Sequence, residues 1–129
     1  MSIREQQLGP EHPQVAYPLE GLANLSWQQG KYEQSEPLYQ RALSIREQAL
    51  GSGHPKTAEI IYDLARLREA QGSREEARSL CIRALAIREQ AFGAHHPKTV
   101  ETRKRLIALL HAMGQHEEAA KLEMAQSEP

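Results

Sequence analysis

One cysteine, Cys81, is all the thiol this chain has, so no intramolecular disulfide staples it. Aromatic residues make up only 5%, with a single tryptophan and a single phenylalanine, and β-branched residues are sparse. That shortage argues against a sheet protein, whose strands draw on those residue types. No apolar run approaches the roughly 20 residues a membrane-spanning helix requires. An excess of charge of one sign is missing too. The 16 Lys and Arg oppose 17 Asp and Glu for a net charge of -1, which gives no reason to expect nucleic acid or an anionic membrane as partner. What is abundant is Ala, Leu, Glu, Gln and Arg, all strong helix formers. The 129 residues suffice for one domain with a modest core. The composition predicts a soluble, all-helical, cytoplasmic protein.

Self-similarity decides the architecture. Ser2-Ile3-Arg4-Glu5-Gln6 recurs as Ser44-Ile45-Arg46-Glu47-Gln48 and, with one change, as Ala86-Ile87-Arg88-Glu89-Gln90, offset by 42 residues each time. Gly9, Gly51 and Gly93 follow, then His12-Pro13, His54-Pro55 and His96-Pro97, and later Gly30, Gly72 and Gly114. Residues 1–42 match 43–84 at 19 positions, and 43–84 match 85–126 at 20, without a gap, so the register is not in question.

Each period reads as two helices. Helix A starts at the His-Pro step, where proline lacks a donor the helix would not use, and ends at the glycine of 30, 72 or 114. Helix B starts just after that glycine. The spacing predicts helices over 12–30, 31–50, 54–71, 73–92, 96–113 and 115–125. Ile60, Ile61, Leu64, Ala65 and Leu67 form the apolar face of the middle helix A, and Ala77, Leu80, Ala84 and Ile87 form one stripe on the following helix B. Ala42 and Ala84 are small enough for close helix approach. Pro37 removes one backbone donor near the start of the first helix B. No helix pair buries both its apolar faces alone; stacked pairs do, as a superhelix with a concave and a convex side.

By the same offset Met1 aligns with Leu43 and Leu85. Residues 1–8 therefore read as the tail of a preceding helix B, followed by repeats over about 12–50, 54–92 and 96–125. The whole of 1–129 is expected to be one array and a fragment of a longer protein.

The frame Leu22-Ala23-x-Leu25, Gly30-Lys31-Tyr32, Glu36-Pro37-Leu38-Tyr39-x-Arg41-Ala42-Leu43, Ile45-Arg46-Glu47, Leu50-Gly51-x-x-His54-Pro55 resembles the tetratricopeptide repeat (TPR) of kinesin light chains. The resemblance covers essentially the whole chain. It implies a right-handed α-solenoid of three TPR helix–turn–helix repeats, and a protein- or peptide-binding scaffold whose concave groove is lined by the A helices. The alternative is a purely architectural spacer segment of a larger signalling protein. In kinesin light chains a pair of asparagines precedes the Leu-Ala step and reaches bound peptide. Here Glu20-Gly21, Tyr62-Asp63 and Lys104-Arg105 stand there.

Within the repeat frame certain helix A positions vary freely. Tyr17, Glu20, Gly21, Asn24 and Gln28 lie on one helical stripe. Their counterparts are Glu59, Tyr62, Asp63, Arg66 and Ala70 in the second copy, and Glu101, Lys104, Arg105, Ala108 and Ala112 in the third. With Leu22, Leu25 and their counterparts supplying the packing contacts, this stripe is free to face outward, and the resemblance implies that it lines the concave groove. Arg66 is expected beside Lys104 and Arg105, where the three cations would hold a carboxylate or an acidic peptide segment. Arg88 is expected on the back. Arg103-Lys104-Arg105 reads either as a solvated face or as part of the groove. Trp27, with Glu69 and His111 as counterparts, is either a surface anchor or a cover for the end of the first repeat. End-to-end self-association is a further expectation, through faces that neighbouring repeats would cover.

No catalytic residue, cofactor or metal ion is expected. His12, His54 and His96 fall one per repeat and suit helix starts. His95, His111 and His116 have no zinc-motif spacing. Cys81 takes the place of Tyr39 and Glu123 beside the core stripe, as a packing cysteine without a paired base. No phosphate-binding loop or nucleophile elbow is present.

Overall fold

A computed structural model describes the backbone of residues 13–127 and the side chains of 18–124. The stretch 1–8, with Ile3 and Leu8, and His12 lie outside the described residues. Six helices follow one another: α1 (Pro13–Gln28), α2 (Tyr32–Leu50), α3 (Pro55–Ala70), α4 (Arg74–Phe92), α5 (Pro97–Ala112) and α6 (His116–Ser127). There is no strand among the described residues. α1, α3 and α5 are the A helices, and α2, α4 and α6 the B helices.

The His-Pro steps act as expected. His54 and His96 cap α3 and α5, each accepting through Nδ1 from the backbone N–H of Lys56 (3.0 Å) and Lys98 (3.1 Å). Thr57 and Thr99, two residues after each proline, are buried. Their hydroxyls donate back to the carbonyls of Gly51 (2.9 Å) and Arg88 (3.2 Å), fixing the entry of each A helix against the preceding B helix.

At the A-helix ends, Gly30, Gly72 and Gly114 have φ of 78°, 85° and 78°. Each glycine N–H bonds three residues back, and the next N–H reaches five back: Lys31 to Ser26, Ser73 to Arg68 and Gln115 to Leu110, all at 2.8 Å. This is a Schellman end, and a side chain is strained at its left-handed residue. Proline is tolerated within two helices. α2 runs unbroken past Pro37, and α1 past Pro18, which the sequence reading did not single out.

The core runs as a chain of clusters along the stack. Leu19 and Ala23 of α1 meet Tyr39, Ala42 and Ile45 of α2 and Ile60, Leu64 and Leu67 of α3. Ala58, Ile61 and Tyr62 then meet Ala84 and Ile87, and Ala65 and Cys81 meet Leu85, Leu106 and Leu110. Ala42 and Ala84 are fully buried, as close crossing requires. Ser35, at the small position held by Ala77 and Ala119 in the other copies, gives its hydroxyl to the Ala23 carbonyl (2.8 Å). Cys81 is fully buried, and burial pushes its thiol up to about 11, which fits a packing role.

Two expectations need correction. Leu22 and Leu25 do not pack: they are 54% and 51% exposed, whereas Leu64, Leu67, Leu106 and Leu109 are buried. Leu64 and Leu67 are covered by the B helix of the preceding unit, and no such helix stands before α1 among the described residues. Arg88 is not on a solvated back. It is 4% exposed, and Nη1 donates to Thr102 Oγ1 (2.8 Å).

Candidate protein-binding groove

The repeated Ile-Arg pair explains how the A helices are held. Ile45 and Ile87 enter the core, and the next residue, one step round the helix, points along the A–B crossing. Arg46 is 1% exposed; it donates to Glu20 Oε2 (2.9 Å) on its own A helix and to the Lys56 carbonyl (2.9 Å) on the next. Glu59 lies 3.7 Å from it. Arg88 repeats the geometry with different partners. Its guanidinium sits 4.9 Å from the centre of the Tyr62 ring and reaches the Lys98 carbonyl (3.5 Å). Arg46 and Arg88 thus each tie three helices together.

The free-facing stripe proves to be partly buried. Tyr62 is 5% exposed, with the Arg105 guanidinium 5.5 Å from its ring and Arg105 Nε donating to its hydroxyl (2.9 Å). Asp63 is half-buried; burial first, then the charge of Glu20, pushes its carboxyl up to about 7 against the pull of Arg66 and Arg88. Asn24 Oδ1 accepts from the Tyr39 hydroxyl, and Glu20 is held by Arg46. Gln28, Glu101, Lys104 and Ala108 are exposed, and Glu59 is half-buried. Tyr17 lies in α1, with its side chain outside the described ones.

The three-cation patch does not form. Arg66 turns the other way, with its guanidinium 5.4 Å from the Trp27 ring and 3.9 Å from Asp63. Arg105 is taken by Tyr62 and by Glu69 Oε1 (3.0 Å). Arg103 is 1% exposed, donating to the Ala94 carbonyl (3.2 Å), because its position is that of Ile61 in the core of the preceding copy. So the basic run splits into one buried, one half-buried and one exposed cation. Trp27 is half-buried, tilted against Tyr32 at 5.1 Å and packed on the first cluster, so it both covers that end and meets Arg66.

Between α3 and α5 lies a cavity of about 690 Å³. It is bordered by Tyr62, Glu101, Lys104, Arg105 and Ala108 of the candidate stripe, together with Glu69, Pro97 and Val100, which the sequence reading missed. Glu69 had a signal, since its position is Trp, Glu and His in the three copies. Lys98 Nζ pairs with Glu59 (3.1 Å) and Arg105 with Glu69 across the two helices, which leaves Lys104 without an ionic partner among the described residues. The cavity thus has apolar walls in Val100, Ala108 and Pro97 and one uncommitted cation. Among the described residues, no three His, Cys, Asp or Glu side chains gather as metal ligands would. No described helix is long and apolar enough to cross a membrane.

A profile of the tetratricopeptide repeat matches residues 18–80 and again 62–124. The chain belongs to the tetratricopeptide repeat family. Its repeats are of the kinesin-light-chain-like kind. A Podosopora anserina protein assigned as a kinesin light chain, with nearly identical TPR-like repeats, superposes with a TM-score of 0.84 at 28% identity over 93% of this chain. A point-substituted form of that protein gives 0.77 at 27% identity over 96%. BtubC (BKLC) from P. vanneervenii gives 0.79 over 97% of the chain; its identity of 23% supports the fold alone. The chain spans 57%, 58% and 53% of those three solved chains. No curated protein sequence matches it. TPR arrays are in general protein-interaction scaffolds, and the family is typically non-enzymatic.

Proposed function

We propose that this TPR array binds a protein or peptide segment through the concave face of its A helices, centred on the α3–α5 interval. The observation that carries the reading is the cavity of about 690 Å³ whose border residues, Pro97 apart, vary among the copies while the frame around them repeats. Its apolar walls suit a small aliphatic side chain, and Lys104 suits a carboxylate one or two residues away. The ion pairs of Arg105 and Lys98 favour a segment with a single acidic residue there over a long acidic run, because the other cations are already neutralised. Cytoplasmic residence and the absence of catalysis belong to the same proposal.

The same ion pairs lend some support to the spacer alternative, since they stiffen the A–A seam without offering much to a partner. A random peptide library panned on the immobilised chain separates the two. Binders with a shared acidic position, displaced from the Lys104→Glu variant, support the groove. No enrichment, or binders indifferent to that substitution, supports the spacer.

A further inference from the structure

A second row of gaps lies between successive B helices, on the side away from the groove. The first, bounded by α2, α3 and α4, has about 360 Å³, and the second, bounded by α4, α5 and α6, about 370 Å³. They are the same gap one repeat apart. Leu43, Leu64 and Leu80 floor the first; Leu85, Leu106 and Leu122 floor the second. Their polar chemistry differs. Gln40, Arg68 and Ser79 of the first become Ile82, Leu110 and Lys121 in the second, while Glu76 becomes Glu118.

In the first gap Arg68 is a clasp. It pairs with Glu36 of α2 (2.9 Å) and Glu76 of α4 (2.9 Å), and its hydrogen bond holds the Glu36 carboxyl below the usual carboxylate range. In the second gap the clasp is missing. Leu110 carries no charge, and Arg78, in the place of Glu36, is turned to Gln115 (2.9 Å) and Glu75 (3.3 Å). Glu118 is left with no ionic partner among the described residues, and Ile82 is 50% exposed at the rim. The rim bears Glu89 and Glu118 against Lys121. The α5 helix contributes nothing to the lining of the first gap, so a helix following α6 would not close the second either.

We propose that the gap between α4 and α6 docks a segment of another protein that carries an aliphatic side chain one helical turn from an arginine. The aliphatic group covers Leu85, Leu106 and Leu122 beside Ile82. The guanidinium takes up against Glu118 the position that Arg68 holds against Glu76 one repeat earlier. This surface is separate from the concave groove and does not depend on it.

The probe is a fluorescein-labelled, alanine-based amphipathic peptide with leucine and arginine four residues apart, and a twin with glutamate in place of arginine. Anisotropy and amide ¹H–¹⁵N shifts are recorded on the intact chain. The arginine peptide is expected to shift residues of α4 and α6 and to bind about tenfold more tightly than its twin, as one charge-assisted pair allows. Ile82→Gln, which installs the first-gap residue at an exposed position, and Glu118→Gln should each weaken it by about fivefold. Helicity and unfolding midpoint should stay unchanged. Equal binding of the twins, shifts confined to the A helices, or insensitivity to both substitutions would overturn the proposal. So would sedimentation that finds this face already occupied by a second copy of the chain.

Discussion

The Arg88 guanidinium lies 4.9 Å from the centre of the Tyr62 ring, while Arg46, its counterpart one repeat earlier, ion-pairs with Glu20, the counterpart of Tyr62. The arginine is kept and its partner changes from a carboxylate to an aromatic face, both of which attract a cation. What the two sites share is the second contact, to the first-turn carbonyls of the next A helix at Lys56 and Lys98.

Arg46→Ala and Arg88→Ala are therefore expected to destabilise the chain by about 2–4 kcal/mol each, since each strips a buried polar contact and leaves a hole. Lysine at either position should not restore stability, because it lacks the planar fork that reaches two partners. Urea unfolding midpoints measure this. A loss below about 0.5 kcal/mol, typical of a surface site, would show that the frame arginines do not hold the stack.

Asp63 makes stability depend on pH. Its carboxyl is raised in the fold from its ordinary value of 3.8 to about 7, mainly by burial and then by Glu20. The folded state therefore holds a proton that the unfolded chain releases. The stabilising contribution is fully present below about pH 4 and is lost as pH rises through about 7. Asp63→Asn should raise the melting temperature at pH 8, by an amount corresponding to about 1–3 kcal/mol, and change little at pH 4. Equal melting differences at the two pH values would count against it.

The exposure of Leu22 and Leu25 predicts unequal costs for equivalent substitutions. Leu64→Ala and Leu67→Ala should each cost about 2–5 kcal/mol, the range for a buried leucine. Leu22→Ala and Leu25→Ala should cost less than about 1 kcal/mol in the chain by itself. Comparable losses at all four sites, by calorimetry, would mean that α1 is covered after all.

With a groove-binding peptide in hand, Lys104→Ala should weaken binding without moving the unfolding midpoint, because Lys104 has no ionic partner to lose among the described residues. Arg105→Ala should lower both, since it also breaks contacts to Tyr62 and Glu69. Arg74, exposed at the start of α4, is the control, and Arg74→Ala should be silent in both assays. Equal weakening by all three would reduce the effect to general charge attraction.

Much of this molecule was readable from the letters. The His-Pro steps and the glycines at 30, 72 and 114 mark helix ends through chain stereochemistry, which acts over a few residues. The apolar faces of α3 and α4 followed from helical spacing and are buried as expected, except that Leu80 is only half-buried. The free variation at Tyr62, Lys104 and Arg105 pointed to the interval where the cavity lies. The same logic failed where it assumed equivalence: Leu22 and Leu25 share the letters of Leu64 and Leu67 but not their neighbours.

The amino-acid sequence by itself determined the helices, their period, the small residues at the crossings and the family. These depend on local geometry and on a frame that repeats. Only the tertiary structure decided which charges remain available. Arg66 leans on Trp27, Arg105 on Glu69, Arg88 on Tyr62 and Arg68 on Glu36. Each of these partners sits on a different helix, reached by a long side chain with several rotamers. Coulomb attraction and burial choose among those partners only once the helices are stacked, so no spacing in the sequence records the choice.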